Sequence, residues 1–373
     1  MSGCIPERVR MKIILNKNNP IPLYYQLETQ IKNAIEKKRL LTNQKIPPER
    51  SLMRKYNLSY NTVTHALRNL VHQGYLRRIQ GKGSFVNDLS VQKRLNKHKF
   101  NLIGLTIPHL DSAQIPFVGL IMKGAEEEAR NNNFRIVISN DEDDKVLERK
   151  HIREFSQNGI DGLIIHYLGE KENIDCLKTL QKENVPFVLV DRYSPFLTTD
   201  YVTGDNFLGA YSATKKIIAL GYKRILYLSS DENHSTIYDR KNGWEKALKE
   251  AGLSSSDNFL GNSHFPDTTE SAYQIAKKRL SKEKGTFAIF ALNLQVILGI
   301  WQAVQDLKID SRGITFACFD EPPSEIPKDI RLIKVIQPVE EMGREAVKVI
   351  LKRLKGDKKP YQIVLKPEIV ISH

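Results

Sequence analysis

From Phe100 to the C-terminus, short apolar runs alternate with amphipathic segments, and this alternation limits the fold more than any other feature of the chain. The apolar runs are Leu102–Ile107, Phe134–Ser139, Gly162–His166, Pro186–Val190, Arg224–Ser229, Phe287–Ala291 and Ile314–Phe319. Between them, Leu120–Asn131, Ala210–Leu220, Gly243–Ala251 and Glu341–Leu354 carry apolar residues at helical spacing. Strands that are apolar on both faces and separated by helices form parallel sheets covered on both sides. The pattern therefore predicts an α/β body, with seven or more strands arranged either as one large sheet or as two lobes.

The first quarter of the chain is different in kind. The protein has a net charge of +14 over 373 residues, and residues 1–98 hold 19 Lys/Arg against 5 Asp/Glu, whereas the remainder holds 38 of each. All the excess charge thus sits on one small module. A basic module joined to a neutral body suggests a polyanion-binding head. A membrane surface is the competing polyanion, but the basic segment has no long apolar face to insert, so no membrane partner is expected.

Within that module, Ser59–Gln73 reads as an amphipathic helix. Val63, Ala66, Leu67, Leu70 and Val71 form its apolar face, Ser59 is placed to cap its start and Gly74 to end it. Its outer face carries Tyr60, Asn61, Thr64, His65 and Arg68 and has no acidic residue, which suits base edges in a DNA major groove. An ordinary solvated helix face has the same composition, so its neighbours must decide. Tyr24–Lys38 reads as a helix with Leu27, Ile31, Ala34 and Ile35 on one face. A Pro47-Pro48-Glu49-Arg50 turn then opens a short helix ending at Tyr56, and Tyr75–Arg78 with Ser84–Val86 reads as a hairpin around Gln80-Gly81-Lys82-Gly83. Three helices and a hairpin in this order predict a winged helix-turn-helix over residues 20–88, after a flexible arm (1–19) and before a basic linker (89–99). Gly81-Lys82-Gly83 is no Walker loop, because Leu76 stands where the first glycine of that motif is required.

The segments PLYYQL (22–27), PPER (47–50), LSYNTV (58–63), ALRNL (66–70), GYL (74–76) and GKGSFV (81–86) resemble the gluconate-repressor (GntR) winged-helix family. The resemblance implies DNA contacts by Arg50, by Ser59, Tyr60, Asn61, Thr62, Thr64 and His65 at the start of the third helix, and by Gly81 and Lys82 in the wing. Pro48 replaces the family's usual serine, so the hydroxyl cap of the second helix is missing. Tyr60 and Thr64 replace two arginines, which shifts the expected base preference towards A·T contacts by Asn61.

The body carries a second resemblance. NLIGLTIP (101–108), GIDGLII (159–165), PFVLVDR (186–192), GDNFLGA (204–210), RKNGW (240–244), FDE (319–321) and IQPVEEMG (336–343) look like the effector domain of the lactose/galactose-repressor (LacI) family. This implies a periplasmic-binding-protein-like fold of two Rossmann-like lobes over residues 100–373, joined by three crossovers and closing on a small molecule, usually a sugar. Joining such a domain to a GntR-type head is the arrangement of arabinose repressors.

A sugar presents paired hydroxyls and an apolar ring face, so its site needs acceptors, donors and an aromatic surface. Carried over from the resemblance, Asp191 with Arg192 beside it, Arg240 heading the R-x-x-G-W helix, Asn293 and Asp320 supply the polar groups, and Phe117 lies against a ring. Asn293-Leu294 replaces the family's usual Asn-Asp. Asp205 and Asn206 fit a lobe crossover better than a ligand contact. His72, His109 and His166 read as unspecialised. No metal spacing among histidines or among Cys4, Cys176 and Cys318, and no nucleophile elbow or dinucleotide fingerprint, is present in the sequence. The expectation is a cytoplasmic, homodimeric, non-enzymatic transcriptional regulator, with no cofactor or metal, that binds double-stranded operator DNA and a small effector. The rival reading is a cytoplasmic sugar binder or α/β enzyme with a basic interaction module.

Overall fold

The computed structural model describes residues 13–16, 22–72, 74–79, 81–88, 101–108, 115–168, 173–322, 324–327 and 330–372. The arm, the linker and His109 therefore lie largely or wholly outside the described residues. The chain divides into two compact units, Met1–Lys99 and Phe100–His373.

The first unit contains α1 (Leu23–Glu36), α2 (Glu49–Tyr56), α3 (Tyr60–His72) and the antiparallel strands β1 (Leu76–Ile79) and β2 (Gly83–Val86). Its core is the set the helical spacing selects. Leu27, Ile31 and Ile35 from α1 meet Leu52 from α2 and Val63, Ala66, Leu67 and Leu70 from α3. Pro48 stands at the start of α2 without a side-chain cap bond, while the Ser59 hydroxyl caps α3 by accepting from the Thr62 amide at 3.2 Å. Gly74, at φ 75°, ends α3 as its left-handed terminus. A bridge between Lys45 and Phe85 adds a short third edge to the wing.

The second unit has two six-stranded sheets. The first runs β13-β7-β6-β5-β3-β4 and is parallel throughout. Its strands are β3 (Asn101–Ile107), β4 (Phe134–Asn140), β5 (Gly162–Ile165), β6 (Phe187–Val190), β7 (Tyr201–Gly204) and β13 (Gln362–Leu365). The second runs β14-β12-β11-β10-β8-β9, built from β8 (Ile225–Ser230), β9 (Phe259–Ser263), β10 (Ala288–Ala291), β11 (Thr315–Phe319), β12 (Arg331–Ile336) and β14 (Glu368–Ser372), with only β14 antiparallel. The body is therefore two lobes and not one large sheet. The chain passes between them after β7, after β12, and between β13 and β14. On the first lobe, helices Ile115–Asn131 and Val339–Leu354 cross so closely that a Cβ on Gly124 would strike the Glu340 carbonyl and one on Gly343 the Ile121 carbonyl. Glycine is required at both places by the neighbouring backbone, not by φ.

Candidate nucleic-acid interface and effector cavity

In the basic head, Arg50 at the start of α2, Tyr60 and Asn61 in the first turn of α3, and Gly81 and Lys82 at the hairpin tip are all exposed. Gly81 has φ 72°, a conformation that suits glycine at this turn, and the Lys82 amide closes the turn by donating to the Ile79 carbonyl at 3.0 Å. Other residues from the sequence set are engaged elsewhere. The Ser59 and Thr62 hydroxyls lie 2.8 Å apart in the cap of α3. The Thr64 hydroxyl is buried without a hydrogen-bond partner. The His65 ring lies 4.2 Å from that of Tyr24, which fixes its orientation at the surface. Arg78 pairs with Glu49, tying the wing to the start of α2. Of the expected DNA contacts, Arg50, Tyr60, Asn61 and Lys82 thus present exposed side chains on three separate elements.

In the second unit, strand ends build the site. Asp191 directly follows β6 in one lobe, and Asp320 directly follows β11 in the other. Each sits in the left-handed region, at φ 67° and 65°. Each backbone N–H donates at 2.9 Å to a neighbouring strand, Asp191 to the Val202 carbonyl and Asp320 to the Val335 carbonyl. The two lobes thus present the same device, a carboxylate turned out of the C-terminal end of a parallel sheet, where such folds bind ligands. A cavity of about 100 Å³ lies between them, and Phe117, Asp191, Arg192, Arg240, Asn293 and Asp320 all line it.

Each of these groups is partly committed, and what remains decides what the cavity can hold. The Asp191 Oδ2 atom accepts from His166 Nε2 at 3.0 Å, leaving Oδ1 buried without a partner. Burial alone would raise this carboxyl, but the His166 hydrogen bond with the charges of Arg192 and Arg240 outweighs it and holds the group below the usual carboxylate range. Burial lowers the His166 pKa despite Asp191, so the ring is neutral. Its Nε2–H donates to Asp191, and Nδ1 is left as an unpartnered acceptor.

Arg240 is in the second turn of helix Ser235–Glu250 rather than at its head, a correction to the expectation from the R-x-x-G-W motif. There its Nε donates to Asn206 Oδ1 at 2.8 Å, its Nη1 to the Leu292 carbonyl at 2.9 Å, and its plane lies 3.7 Å over the Phe319 ring. Burial lowers its pKa, against the pull of Asp320 and Asp191. Asn206 therefore orients Arg240, and Asp205 caps its own helix by accepting from the Leu208 amide. Asn293 does the same for helix Leu294–Asp306, accepting from Val296 at 3.0 Å, which leaves its amide nitrogen for a ligand.

Asp320 accepts from Gln337 Nε2 at 3.2 and 3.1 Å. Burial pushes its carboxyl up to about 6, with Arg240 and Gln337 opposing and Asp191 adding to the rise. A carboxyl raised in the folded state favours folding at low pH and loses that contribution as pH rises through the folded value. Asp320→Asn keeps a hydrogen bond to Gln337, whose Oε1 is unpartnered, and removes the buried charge. The unliganded variant is expected to melt higher than wild type at pH 8, with the gap closing towards pH 5, while effector affinity falls. Equal melting differences at both pH values would contradict this account.

Several lining residues are invisible to sequence reasoning. His166, Glu232, His234, Thr236 and Gln337 all border the cavity, so His166, which its sequence context leaves unspecialised, belongs to the cavity wall. Arg192 Nη1 meets His234 Nε2 at 3.0 Å, and His234 in turn lies 3.0 Å from Glu232 Oε1, so a polar chain spans the two lobes. Asp191 followed by Arg192 after an apolar strand hinted at this place. Nothing local marked the histidines.

A basic winged head and a two-lobed body with a polar cavity at facing strand ends define a ligand-controlled regulator of transcription. Comparison with known proteins supports this class. Residues 23–86 match the bacterial regulatory proteins of the gntR family, and residues 101–318 match the periplasmic binding proteins and sugar binding domain of the LacI family. The chain belongs to the latter family and carries a GntR head. It is 24% identical to the arabinose metabolism transcriptional repressor of Halalkalibacterium halodurans, over 94% of this chain and 96% of that one. It is 28% identical to the HTH-type transcriptional regulator DegA of Bacillus subtilis, over 75% of this chain and 82% of the relative. Its fold is shared with a LacI family transcriptional regulator from Enterococcus faecium solved with bound ribose, at TM-score 0.60 and 22% identity, covering 72% of this chain and 96% of that one. These relatives are regulators, and the chain is a DNA-binding transcriptional regulator. Among the described residues no helix is long and apolar enough to cross a membrane.

Proposed function

We propose that the chain is a cytoplasmic, homodimeric repressor whose grip on operator DNA is released by a neutral sugar bound between the two lobes. One observation carries the ligand class. Four buried atoms without hydrogen-bond partners belong to residues lining this one cavity: His166 Nδ1, Asp191 Oδ1, Gln337 Oε1 and Arg192 Nε. Buried polar atoms are normally satisfied, so their concentration here marks a site built for a ligand. Three of the four are acceptors in the assigned tautomer, and a polyol supplies the hydroxyl donors they lack. The volume of about 100 Å³ suits a single sugar ring, given that one water needs roughly 10–15 Å³ on the same measure. The arabinose repressor among the relatives and the ribose held by the Enterococcus faecium protein support a pentose.

In this reading Asp191 and Asp320 accept from hydroxyls on opposite sides of the ring, Arg240 Nη2 and Asn293 Nδ2 donate, and Phe117 covers an apolar face. Arg50, Tyr60 and Asn61 read the major groove while Lys82 meets phosphate at the wing. Two heads bind a palindromic operator. The dimer contact is the exposed edge strand β4 of the first lobe, where Val137 and Ile138 are 37% and 41% exposed, with Leu120 on the adjoining helix at 41%. Ligand closure of the lobes alters this contact and with it the spacing of the heads.

The test is a DNA shift with the intact protein, titrated with pentoses and hexoses. The expected result is operator affinity lowered about 5- to 150-fold by one of them, the range of typical allosteric coupling. If no sugar changes DNA affinity or raises the melting temperature, the effector reading fails.

A further inference from the structure

Glu148 sits in the first turn of helix Lys145–Gln157 and is fully buried, yet it does not line the cavity between the lobes. Both of its oxygens accept hydrogen bonds. Oε1 accepts from the Leu168 backbone N–H at 2.8 Å, and Oε2 accepts from Asn173 Nδ2. Asn173 stands at the start of helix Ile174–Lys182, where an asparagine normally caps the helix, but it makes no side-chain cap bond there. Its amide nitrogen also donates to the Lys145 carbonyl at 2.8 Å, and its Oδ1 accepts from Arg149 Nε at 3.1 Å. Asn173 is thus held in one orientation, with a donor turned to Glu148.

This cluster meets the segment that leaves β5. His166, Tyr167 and Leu168 are consecutive and buried. His166 orients Asp191 at the cavity, and Tyr167 lines an adjoining cavity of about 490 Å³. The segment is held at two points. The His166 N–H donates to the Thr106 carbonyl at 3.2 Å, and the Leu168 N–H donates to Glu148.

We propose that Glu148 is a positioning residue for the effector site: as a carboxylate it fixes the wall from His166 to Leu168, and a proton on it loosens that wall and weakens effector binding. The inference rests on the cavity's being the effector site. Its physical basis is the matching of donors to acceptors. Leu168 and Asn173 both offer donors, so a carboxylate satisfies them, whereas a carboxylic acid O–H finds no acceptor in either. Burial pushes this carboxyl up to about 7 against the Leu168 and Asn173 bonds, with Asp141 adding to the rise and Arg192 opposing it. The charged groups around it are Asp141 after β4, which His151 meets at 2.6 Å, Arg149, which pairs with Asp175, and Arg192 after β6, beside Asp191. An effector that needs the ordered wall binds the ionised form. Its affinity is therefore full above this pKa and falls as pH drops through it.

The experiment is calorimetric titration of the full chain with the sugar panel at pH 8 and pH 6.5, on wild type and on Glu148→Gln, whose amide sets a permanent donor against Asn173. A melting curve checks the fold of the variant, and NMR of the leucine-labelled, unliganded protein follows the Leu168 amide. The expected result is wild-type affinity about fivefold weaker at pH 6.5 than at pH 8, with Glu148→Gln weak at both. The wild-type Leu168 signal should titrate with a midpoint of about 7. Asp141 and Asp320, each raised to about 6, remain in the variant, so any pH dependence they cause survives there. A variant that binds as tightly as wild type, or one that binds more weakly with the wild-type slope, overturns the positioning role. A wild-type Leu168 signal with no step in this range overturns it without recourse to any variant. Binding of no sugar to wild type at pH 8 overturns instead the effector reading on which it rests.

Discussion

Arg240→Ala is expected to abolish effector binding and to destabilise the effector unit by about 3–5 kcal/mol, the usual cost of removing one partner from a buried charge cluster. Arg240 is buried, with only its cavity-facing edge accessible. It bonds Asn206 at the start of the first C-lobe helix and the Leu292 carbonyl at the end of β10, and stacks on Phe319 at the end of β11. One side chain therefore ties three elements of the second lobe to the floor of the cavity. Its charge also offsets both Asp320 and Asp191. Alanine takes the Arg240 donors from the Asn206 oxygen and the Leu292 carbonyl, and leaves Asp191 to His166 and Arg192, and Asp320 to Gln337, without this charge. Arg240→Lys keeps the charge but not the planar fork, and should recover part of the stability without the affinity. Urea unfolding measures the first effect and calorimetric titration the second. A stable Arg240→Ala protein that still binds sugar would show that the guanidinium is a bystander.

The second large effect is expected at the other end of the chain. Arg50→Ala should weaken operator binding roughly 5- to 150-fold, the 1–3 kcal/mol of a base-reading arginine, and should flatten the preference at one base position. Lys82→Ala should instead weaken binding to all sequences alike and reduce the salt slope by about one counterion. Both residues are exposed, and the core that supports them is made by Leu27, Leu52, Val63 and Leu70, so neither change should alter folding or sugar affinity. Fluorescence anisotropy on operator variants at several salt concentrations separates the two. If Arg50→Ala loses affinity uniformly across sequences, its contact is with the backbone and Asn61 is left as the reader.

Residues 22–27, 47–50 and 58–63 announced the head because short-range rules govern it. Helical spacing, the Ser59 cap and the Gly74 terminus each act within a few residues. The wing was legible for the same reason, although its Lys45–Phe85 bridge was not, since those partners are far apart in sequence. In the body, the seven apolar runs each form a strand to within a residue or so at their ends. Strands β7, β9, β12, β13 and β14 lie outside those runs. β13 and β14 mix half-buried and exposed residues at sheet edges, with none fully buried, so their strand character comes from pairing with β7 and β12 and not from a continuous apolar run.

The same division runs through the effector site. Asp191, Asn293 and Asp320 follow apolar strands, and a polar residue at such a boundary is visible in the chain. His166 and Gln337 stand beside Asp191 and Asp320 only because β5 lies next to β6, and because the crossover after β12 returns past β11. Sequence alone determined that a basic three-helix head precedes an α/β body, because charge and hydrophobic period are local properties of the chain. Tertiary structure decided which carboxylates share a cavity, which oxygens remain unpaired in it, and which residues border it. These outcomes depend on strand order and lobe crossovers, and pairing between distant segments is set by the burial of whole faces rather than by any nearby residue.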